Sequence, residues 1–237
     1  MNRDIFLADA HLLHPRDLNY QRLLAFLAEQ TGRVRTLYIL GDLFEFWVGY
    51  RHLVFAPYVP LLNALAELRT SGADIVYVEG NHDFHLGPYF EQTLDCRVFP
   101  DGGDVEIDGK RVHLTHGDLI NGDDRGYRLL RGFLRSRFLK TLIAIAPGDL
   151  TWGISRWASR QSQKGHAPKQ QRRLPEAKID AYARRRLKDG CAVVITGHFH
   201  QPFSRQLGEG MVFGLGDWLT QYSYLVHENG TFSLKTY

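Results

Sequence analysis

Five short apolar runs in this sequence each end in a cluster of Asp, Asn or His, and this arrangement constrains the fold more than any other feature. The runs are five or six residues long and rich in β-branched side chains, which predicts strands of sheets that are covered on both faces. In chain order the runs are Arg3–Ala8, Thr36–Leu40, Asp74–Val78, Arg111–Thr115 and Ala192–Thr196. The motifs that follow them are, in the same order, DAH, GDLFE, GNHD, HGD and GHFH. Met211–Gly216 and Ser223–Val226 are predicted as two further strands.

Helical patterns separate the first three runs. Leucines spaced three and four residues apart predict helices over Asn19–Gln30 and Tyr58–Gly72, and a glycine such as Gly72 is typical of a helix end. An Asp-Gly turn within Asp101–Leu114 predicts a β-hairpin. Strands that alternate with helices predict an α/β layered fold, and 237 residues suffice for one such domain with an insertion.

The polar clusters contain the residue types of a metal centre. The carboxyl ends of strands line the ligand crevice of open α/β sheets, so we expect the five clusters to converge there. Carboxylates, an amide and imidazoles together form a ligand set for first-row transition metals, and the number of donors suffices for two divalent ions. Any one of these motifs usually marks an ordinary polar residue, whereas five of them, each at a strand end, favour one shared site over coincidence. The predicted metal ligands are Asp9, His11, Asp42, Asn81, His116, His198 and His200.

Charge is distributed unevenly along the chain. Residues 125–188 contain 17 Lys and Arg against three Asp and Glu, a formal charge of +14, while the rest of the chain carries −11. Within this basic part, Tyr127–Ala146 is predicted as one helix with an apolar stripe, and Leu150–Gln161 as a second helix. We therefore predict a core of residues 1–124 and 176–237 and a basic helical cap insertion of residues 125–175.

The basic insertion has three interpretations. It can bind an anionic membrane surface, it can be a solvated face whose apolar stripe packs against the core, or it can bind nucleic acid. Nucleic acid ranks lowest because the basic residues accompany an apolar helical stripe instead of alternating with exposed aromatic side chains.

We expect neither a membrane-spanning stretch nor a signal peptide in this sequence. No run approaches the roughly 20 apolar residues of a membrane helix, and the N-terminus MNRDIFLAD lacks a long apolar segment. We therefore expect a cytoplasmic protein, and the basic amphipathic insertion favours its peripheral attachment to the inner face of the cytoplasmic membrane. Cys96 and Cys191 are the two cysteines, which indicates neither a disulfide framework nor a cysteine metal site.

The five motifs resemble those of the calcineurin-like metallophosphoesterase superfamily, whose pattern is D-x-H, GDxxD, GNH[DE], a His and GHxH. The resemblance extends from Asp9 to His200, with Glu45 in place of the second Asp of GDxxD. It implies a two-sheet β-sandwich flanked by helices, with two divalent metal ions that are often Mn²⁺. The implied ligands of one ion are Asp9, His11, Asp42 and His200, and those of the other are Asp42, Asn81, His116 and His198.

Within the superfamily, Tyr38–Gly49, Asp123–Arg131 and Gly214–Trp218 are similar to a branch of lipid A pathway enzymes. These split the pyrophosphate of UDP-2,3-diacylglucosamine into UMP and 2,3-diacylglucosamine 1-phosphate, which implies a nucleotide-lipid substrate. Established members carry Arg where this chain has His82, and His occurs in a sister branch. The alternative is therefore a metallophosphoesterase acting on a different nucleotide or phosphodiester. A binding module on an inactive scaffold is a third hypothesis, which the seven competent donors argue against.

The resemblance also implies roles for individual side chains. His82 is predicted to be catalytic, protonating the leaving oxygen or stabilising its charge, and Asp83 is predicted to orient a neighbour at the same site. The predicted substrate-binding residues are Asn81, Tyr127, Arg131, Arg160, Lys164, Lys169 and His198.

Overall fold

The computed structural model describes residues 2–163 and 173–237, with residues 158–163 described by their backbone alone. Within these ranges the chain forms eleven strands and six α-helices. The strands are β1 (Arg3–Leu7), β2 (Thr36–Ile39), β3 (Asp74–Val78), β4 (Arg97–Phe99), β5 (Gly103–Ile107), β6 (Lys110–Thr115), β7 (Val193–Thr196), β8 (Phe203–Leu207), β9 (Gly210–Gly214), β10 (Ser223–Glu228) and β11 (Thr231–Thr236). The helices are α1 (Leu18–Gln30), α2 (Val59–Thr70), α3 (Arg125–Leu134), α4 (Arg137–Ile145), α5 (Gly148–Gln163) and α6 (Glu176–Lys188).

The strands form two sheets. One has six strands in the order β11-β10-β1-β2-β3-β4, and the other has five in the order β5-β6-β7-β9-β8. Strands β1, β2 and β3 are parallel to one another, as are β6, β7 and β9. The carboxyl ends of each parallel set therefore lie at one edge of its sheet, and the loops that follow β1, β2, β3, β6 and β7 carry the five polar motifs.

Side-chain alternation along the strands explains the layers. On β1, Phe6 belongs to the core between the two sheets, while its neighbours Ile5 and Leu7 pack in a core that includes residues of α1 and α2. On the second sheet, Val194 packs in a third core with Ile179 of α6. The order of layers is helix, sheet, sheet, helix. The predicted fold class, two sheets flanked by helices, is confirmed.

The sequence-based prediction missed three strands and joined two helices into one. β4, β8 and β11 lie at sheet edges, and β8 alternates half-buried with exposed residues, so it leaves no apolar run to detect. The single helix predicted over Tyr127–Ala146 is wrong, because α3 and α4 are separate helices. Ser136 accepts a hydrogen bond from the Leu139 amide at 3.2 Å, and this N-cap starts α4 as a new helix.

Helices α3, α4 and α5 lie between β6 and α6 in the chain and expose much of their apolar surface. Phe138 and Ile145 of α4 are 70 % and 77 % exposed, so these members of the predicted stripe are not packed against the core. Trp152 of α5 does pack inward, with its ring 4.9 Å from that of Phe55, whereas Trp157 is exposed. Within the described residues, no helix combines the length and apolar character needed to cross a membrane.

Candidate metal centre

The polar motifs converge at the edge where the two sheets present their carboxyl ends. Three overlapping groups of donor side chains form there, and within each group the ligand atoms lie within 4.8 Å of one another. The groups are Asp9, His11 and His200; His11, Asp42 and His82; and Asp42, His116 and His198. The structure thus brings six of the seven predicted ligands together. The seventh, Asn81, places its Oδ1 3.1 Å from His116 Nε2.

Asp42 is at the centre of this cluster and is fully buried. Its Oδ2 lies 3.4 Å from His116 Nε2 and 3.6 Å from His11 Nε2. Burial alone would raise the pKa of the Asp42 carboxyl, but the His116 charge and other neighbouring imidazoles outweigh burial and hold this pKa well below its usual range. Burial likewise opposes the charged form of His116, yet the carboxylate of Asp42 raises the pKa of His116 to about 10.

The donor cluster fits divalent metal ions. His116 Nδ1 lies 2.8 Å from the carbonyl oxygen of Leu40, which can only accept, so Nδ1 donates and Nε2 faces the cluster as a ligand atom. A ring nitrogen held by a backbone carbonyl is typical of metal-ligating histidines. His116 Nε2 is 3.2 Å from His198 Nδ1, so two imidazoles direct ring nitrogens at the same space. Carboxylate, amide and imidazole donors together suit a first-row divalent cation.

The backbone is adapted to this cluster. Five of the predicted ligands adopt the left-handed region, with φ between 44° and 72°: Asp9, His11, Asp42, His198 and His200. Gly80 lies so close to the centre that a Cβ there would be 2.2 Å from Asp42 Oδ1. The glycine before Asn81 therefore permits close approach of the backbone.

Asp83 connects two of the ligand loops. Its buried carboxylate accepts hydrogen bonds from the amides of Asp42 (2.9 Å) and Gly80 (2.9 Å), and from the hydroxyl of Tyr77 (2.5 Å). Burial, followed by the nearby charge of Asp42, raises the pKa of Asp83 to about 7. These contacts place Asp83 behind the donor cluster, where it supports the loops after β2 and β3.

His82 lies at the cluster beside His11, with ring centroids 4.7 Å apart. Its amide donates to Asp42 Oδ1 at 2.9 Å, and its Nδ1 lies 2.8 Å from the carbonyl oxygen of Glu45. Because that carbonyl only accepts, Nδ1 carries a proton and Nε2 is the atom available for proton transfer.

Two carboxylates next to the ligands had no role in the sequence-based prediction. Glu45 Oε2 lies 3.4 Å from His11 Nδ1, and Asp217 Oδ2 lies 3.5 Å from His200 Nδ1. Carboxylates behind metal-binding histidines orient the rings and increase their basicity. Glu45 stands in the motif GDLFE and Asp217 in the segment Gly214–Trp218, both noted above, but their distances to the histidines depend on the tertiary structure.

The predicted substrate-binding residues fall into three groups. Asn81 and His198 lie at the donor cluster. Tyr127 and Arg131 both bind the carboxylate of Asp118, at 2.6 Å from the Tyr127 hydroxyl and 2.8 Å from Arg131 Nε, and so connect α3 to the loop after β6. Lys164, Lys169 and the side chain of Arg160 lie outside the described residues.

Donors from several loops, gathered at one edge of a two-sheet sandwich, define a metal-dependent hydrolase of phosphoesters. Residues 5–202 match the family of calcineurin-like phosphoesterases, and the chain belongs to this family. The predicted superfamily and enzyme class are confirmed.

Individual proteins are similar over nearly the whole chain. The UDP-2,3-diacylglucosamine hydrolase of Aeromonas salmonicida (strain A449) is 32% identical over 238 residues, covering 95% of this chain and 90% of the relative. The UDP-2,3-diacylglucosamine hydrolase of Stenotrophomonas maltophilia (strain K279a) is 31% identical over 245 residues, covering 98% and 97%. Among solved structures, an archaeal phosphodiesterase aligns with a TM-score of 0.53 at 15% identity, covering 99% of each chain, which shows the shared fold.

Proposed function

We propose that this chain hydrolyses the pyrophosphate of UDP-2,3-diacylglucosamine to UMP and 2,3-diacylglucosamine 1-phosphate. The observation that carries the proposal is the similarity, over 95% or more of the chain, to enzymes named for that hydrolysis. The donor cluster supports it, since a hydrolase of this family needs metal-binding side chains at one place.

The proposed cofactor is a pair of divalent ions, with Mn²⁺ as the expected metal. Asp9, His11, Asp42 and His200 would hold one ion, and Asp42, Asn81, His116 and His198 the other. The overlap of the donor groups at Asp42 supports a carboxylate shared by both ions. When bound, such ions supply an activated water and neutralise charge on the phosphate oxygens.

The protein's own groups complete the proposed reaction. A water oxygen forms a bond to phosphorus, the P–O bond of the pyrophosphate breaks, and the leaving oxygen takes up a proton or a hydrogen bond. His82 in its imidazolium form is the proposed donor: Nδ1 donates to the Glu45 carbonyl, Nε2 gives its proton to the leaving oxygen, and the attacking water releases a proton to solvent. Asp83 is proposed to position the two loops and not to contact the substrate, since its described contacts are with backbone amides and Tyr77.

We assign residues 125–175 as a basic cap that binds the anionic inner face of the cytoplasmic membrane, where a nucleotide-lipid substrate is presented. The exposed apolar side chains of α3 to α5 support this assignment, and so does the formal charge of +14 over residues 125–188, most of which lies in the cap. Arg160, Lys164 and Lys169 remain predicted phosphate contacts.

The test is hydrolysis of UDP-2,3-diacylglucosamine by the purified, Mn²⁺-loaded protein, with products identified by mass spectrometry. The phosphodiester bis(p-nitrophenyl) phosphate is measured in parallel, and Asp42→Ala is the inactive control. Release of UMP at least about 100-fold faster than cleavage of the generic ester is expected, because binding energy from the nucleotide and acyl chains contributes to transition-state stabilisation.

A second candidate keeps the chemistry and changes the substrate to another nucleotide or phosphodiester. His82 favours it, since the established branch members carry Arg at this position. Cleavage of the generic ester without release of UMP from the nucleotide lipid would support this second candidate and contradict the first.

A further inference from the structure

Helix α3 presents three polar side chains on one face toward the ligand loops. Tyr127, Arg131 and Arg135 follow one another at four-residue intervals, and Arg135 is the residue that ends the helix. Arg131 and Arg135 are each only 13 % exposed although they carry charge, so both are committed to contacts within the protein.

Arg131 contacts the loop after β6. Its Nε donates to Asp118 Oδ2 at 2.8 Å, and its second guanidinium nitrogen lies 2.8 Å from Asp101 Oδ1. Asp118 is two residues beyond His116, and Tyr127 donates to the same carboxylate. The helix is thereby connected to one ligand of the proposed centre.

Arg135 contacts the loop after β3. One guanidinium nitrogen donates to Glu79 Oε2 at 2.8 Å, and the other donates to the carbonyl oxygen of Gly80 at 3.0 Å. Glu79 is buried, and its other oxygen accepts from the Leu86 amide at 3.0 Å, which closes the loop that contains Asn81 and His82. Gly80 immediately precedes Asn81 and lies against Asp42.

We infer that Arg135 is a positioning residue for the metal centre. Through Glu79 and Gly80 it fixes the loop that carries Asn81 and His82, and together with Arg131 it attaches two ligand loops to the single helix α3. This inference deepens the proposed function and rests on it, because Asn81 and His116 are ligands proposed for the same ion. Metal binding and the order of α3 are therefore coupled, and the coupling acts in both directions.

The geometry at Arg135 favours a guanidinium over an ammonium. A planar fork donates to a carboxylate and a carbonyl at the same time, which the single ammonium of Lys does less well. Replacement by Ala leaves Glu79 as a buried carboxylate without its cation and removes a donor from the Gly80 carbonyl. Loss of groups that orient metal ligands typically weakens metal binding about 10- to 100-fold.

The experiment compares Arg135→Ala and Arg135→Lys with Arg128→Ala, which removes an exposed charge from the same helix. Mn²⁺ binding is measured by calorimetry without substrate, and hydrogen exchange of residues 125–134 is measured with and without Mn²⁺. Arg135→Ala is expected to weaken Mn²⁺ binding at one of the two sites about 10- to 100-fold. It is also expected to abolish the decrease in the hydrogen-exchange rate of α3 that Mn²⁺ causes in the wild type. Arg135→Lys is expected to be intermediate, and Arg128→Ala unchanged.

Wild-type affinity at both sites in a folded Arg135→Ala protein would overturn the inference. If Arg135→Ala does not fold, Arg135→Lys decides: weakening of one site supports the inference, and unchanged affinity overturns it. A different result would contradict the proposed substrate alone: a wild-type protein that binds Mn²⁺ and shows the coupling to α3 but does not release UMP from UDP-2,3-diacylglucosamine. A wild-type protein that binds no divalent metal overturns both.

Discussion

At the scale of single residues, the donor cluster is built on unfavourable backbone. A non-glycine residue in a sparsely populated region costs about 1–3 kcal/mol, and five predicted ligands have positive φ. Such conformations persist only where neighbouring groups hold them, and the carboxylate of Asp83, with its bonds to both the Asp42 and Gly80 amides, is one of those groups. The ligands are therefore held in place by the protein before any metal binds.

Glu45 provides the first prediction at this scale. Its carboxylate lies 3.4 Å from His11 Nδ1, so Glu45→Gln removes the charge that orients this ring. We expect metal affinity and kcat to fall by about tenfold or more, measured by Mn²⁺ calorimetry and by ester hydrolysis. Glu67→Gln, which alters an exposed carboxylate on α2, is the control. Unchanged metal affinity in Glu45→Gln would show that Glu45 does not support His11.

His85 provides a pH-dependent prediction. Burial first, and then the charges of Lys140 and Arg135, lower the pKa of His85 from 6.5 to about 4. As the pH falls below 6.5, His85 takes up a proton in the unfolded chain, whereas in the folded chain it does so only near pH 4. Protonation therefore favours the unfolded chain between these two values. The contribution of His85 to the free energy of unfolding is present above pH 6.5 and is lost as the pH falls toward 4.

The substitution His85→Leu removes this titration. Urea unfolding in EDTA at about pH 7.5 and about pH 5 is expected to show a smaller acid-induced loss of the free energy of unfolding in His85→Leu than in the wild type. His52→Gln, at an exposed position, should keep the wild-type loss. Equal losses in wild type and His85→Leu would contradict the prediction.

At the scale of elements, the three helices after β6 differ in how they are attached. α3 is held by Tyr127 and Arg131, and the start of α5 is held by Thr151, which receives a 2.6 Å hydrogen bond from the Tyr50 hydroxyl. α4 lies between these two attachments with its apolar side chains exposed. Arg131 and Arg135 bind the core, whereas α4 exposes Phe138, Leu142 and Ile145, so α4 is the first of the three helices on which the proposed membrane contact is tested.

The prediction for α4 concerns vesicle binding. In the double variant Phe138→Ser/Ile145→Ser, two exposed apolar side chains are lost, each of which would stabilise membrane binding by about 1.5–3 kcal/mol if fully buried. Binding to vesicles of phosphatidylglycerol and phosphatidylethanolamine, measured by flotation, should fall at least about tenfold, while cleavage of bis(p-nitrophenyl) phosphate is unchanged. Leu18→Ser, at an exposed site on α1, is the control, and an equal effect of this variant would refute a specific role for α4.

At the scale of the whole molecule, the donor cluster joins the two sheets. Asp9, Asp42 and Asn81 follow strands of the six-stranded sheet, whereas His116 and His198 follow strands of the five-stranded sheet. A ligand that binds the folded state and not the unfolded chain raises the free energy of unfolding by about 2.7 kcal/mol at 100 times its Kd. Bound metal should therefore stabilise the sandwich as a whole.

The measurement is the thermal unfolding midpoint with EDTA and with saturating Mn²⁺. For a chain of this size, about 2.7 kcal/mol corresponds to a rise in Tm of about 5–10 °C. Asp42→Ala should abolish the rise and the hydrolytic activity together, because this carboxylate belongs to two of the three donor groups. Glu106→Gln, an exposed carboxylate on β5, should keep both. Wild-type activity in Asp42→Ala would refute the proposed shared ligand.

Much of the fold and of the donor set was predictable because the signals are local. Buried strands such as β3 have near-continuous apolar runs, and the donors follow these strands directly in the chain. The edge strand β8 could not be predicted in this way, because its half-exposed residues lack an apolar run. The break between α3 and α4 was also missed. The apolar stripe continues across Ser136, so the pattern predicts one helix, but the Ser136 side chain caps the start of a second helix there.

The sequence by itself determined the α/β class, the order of the buried strands, the identity of the donor side chains and the metal-dependent chemistry, because residue type and short spacing encode them. Only the tertiary structure decided which donor atoms approach one another within 4.8 Å. It also decided that Tyr127 and Arg131 bind Asp118 and that Arg135 binds the Gly80 carbonyl before Asn81. The exposure of the apolar side chains of α4 was likewise visible only in the structure. These features depend on contacts between side chains that lie far apart in the chain, and local sequence carries no record of such contacts.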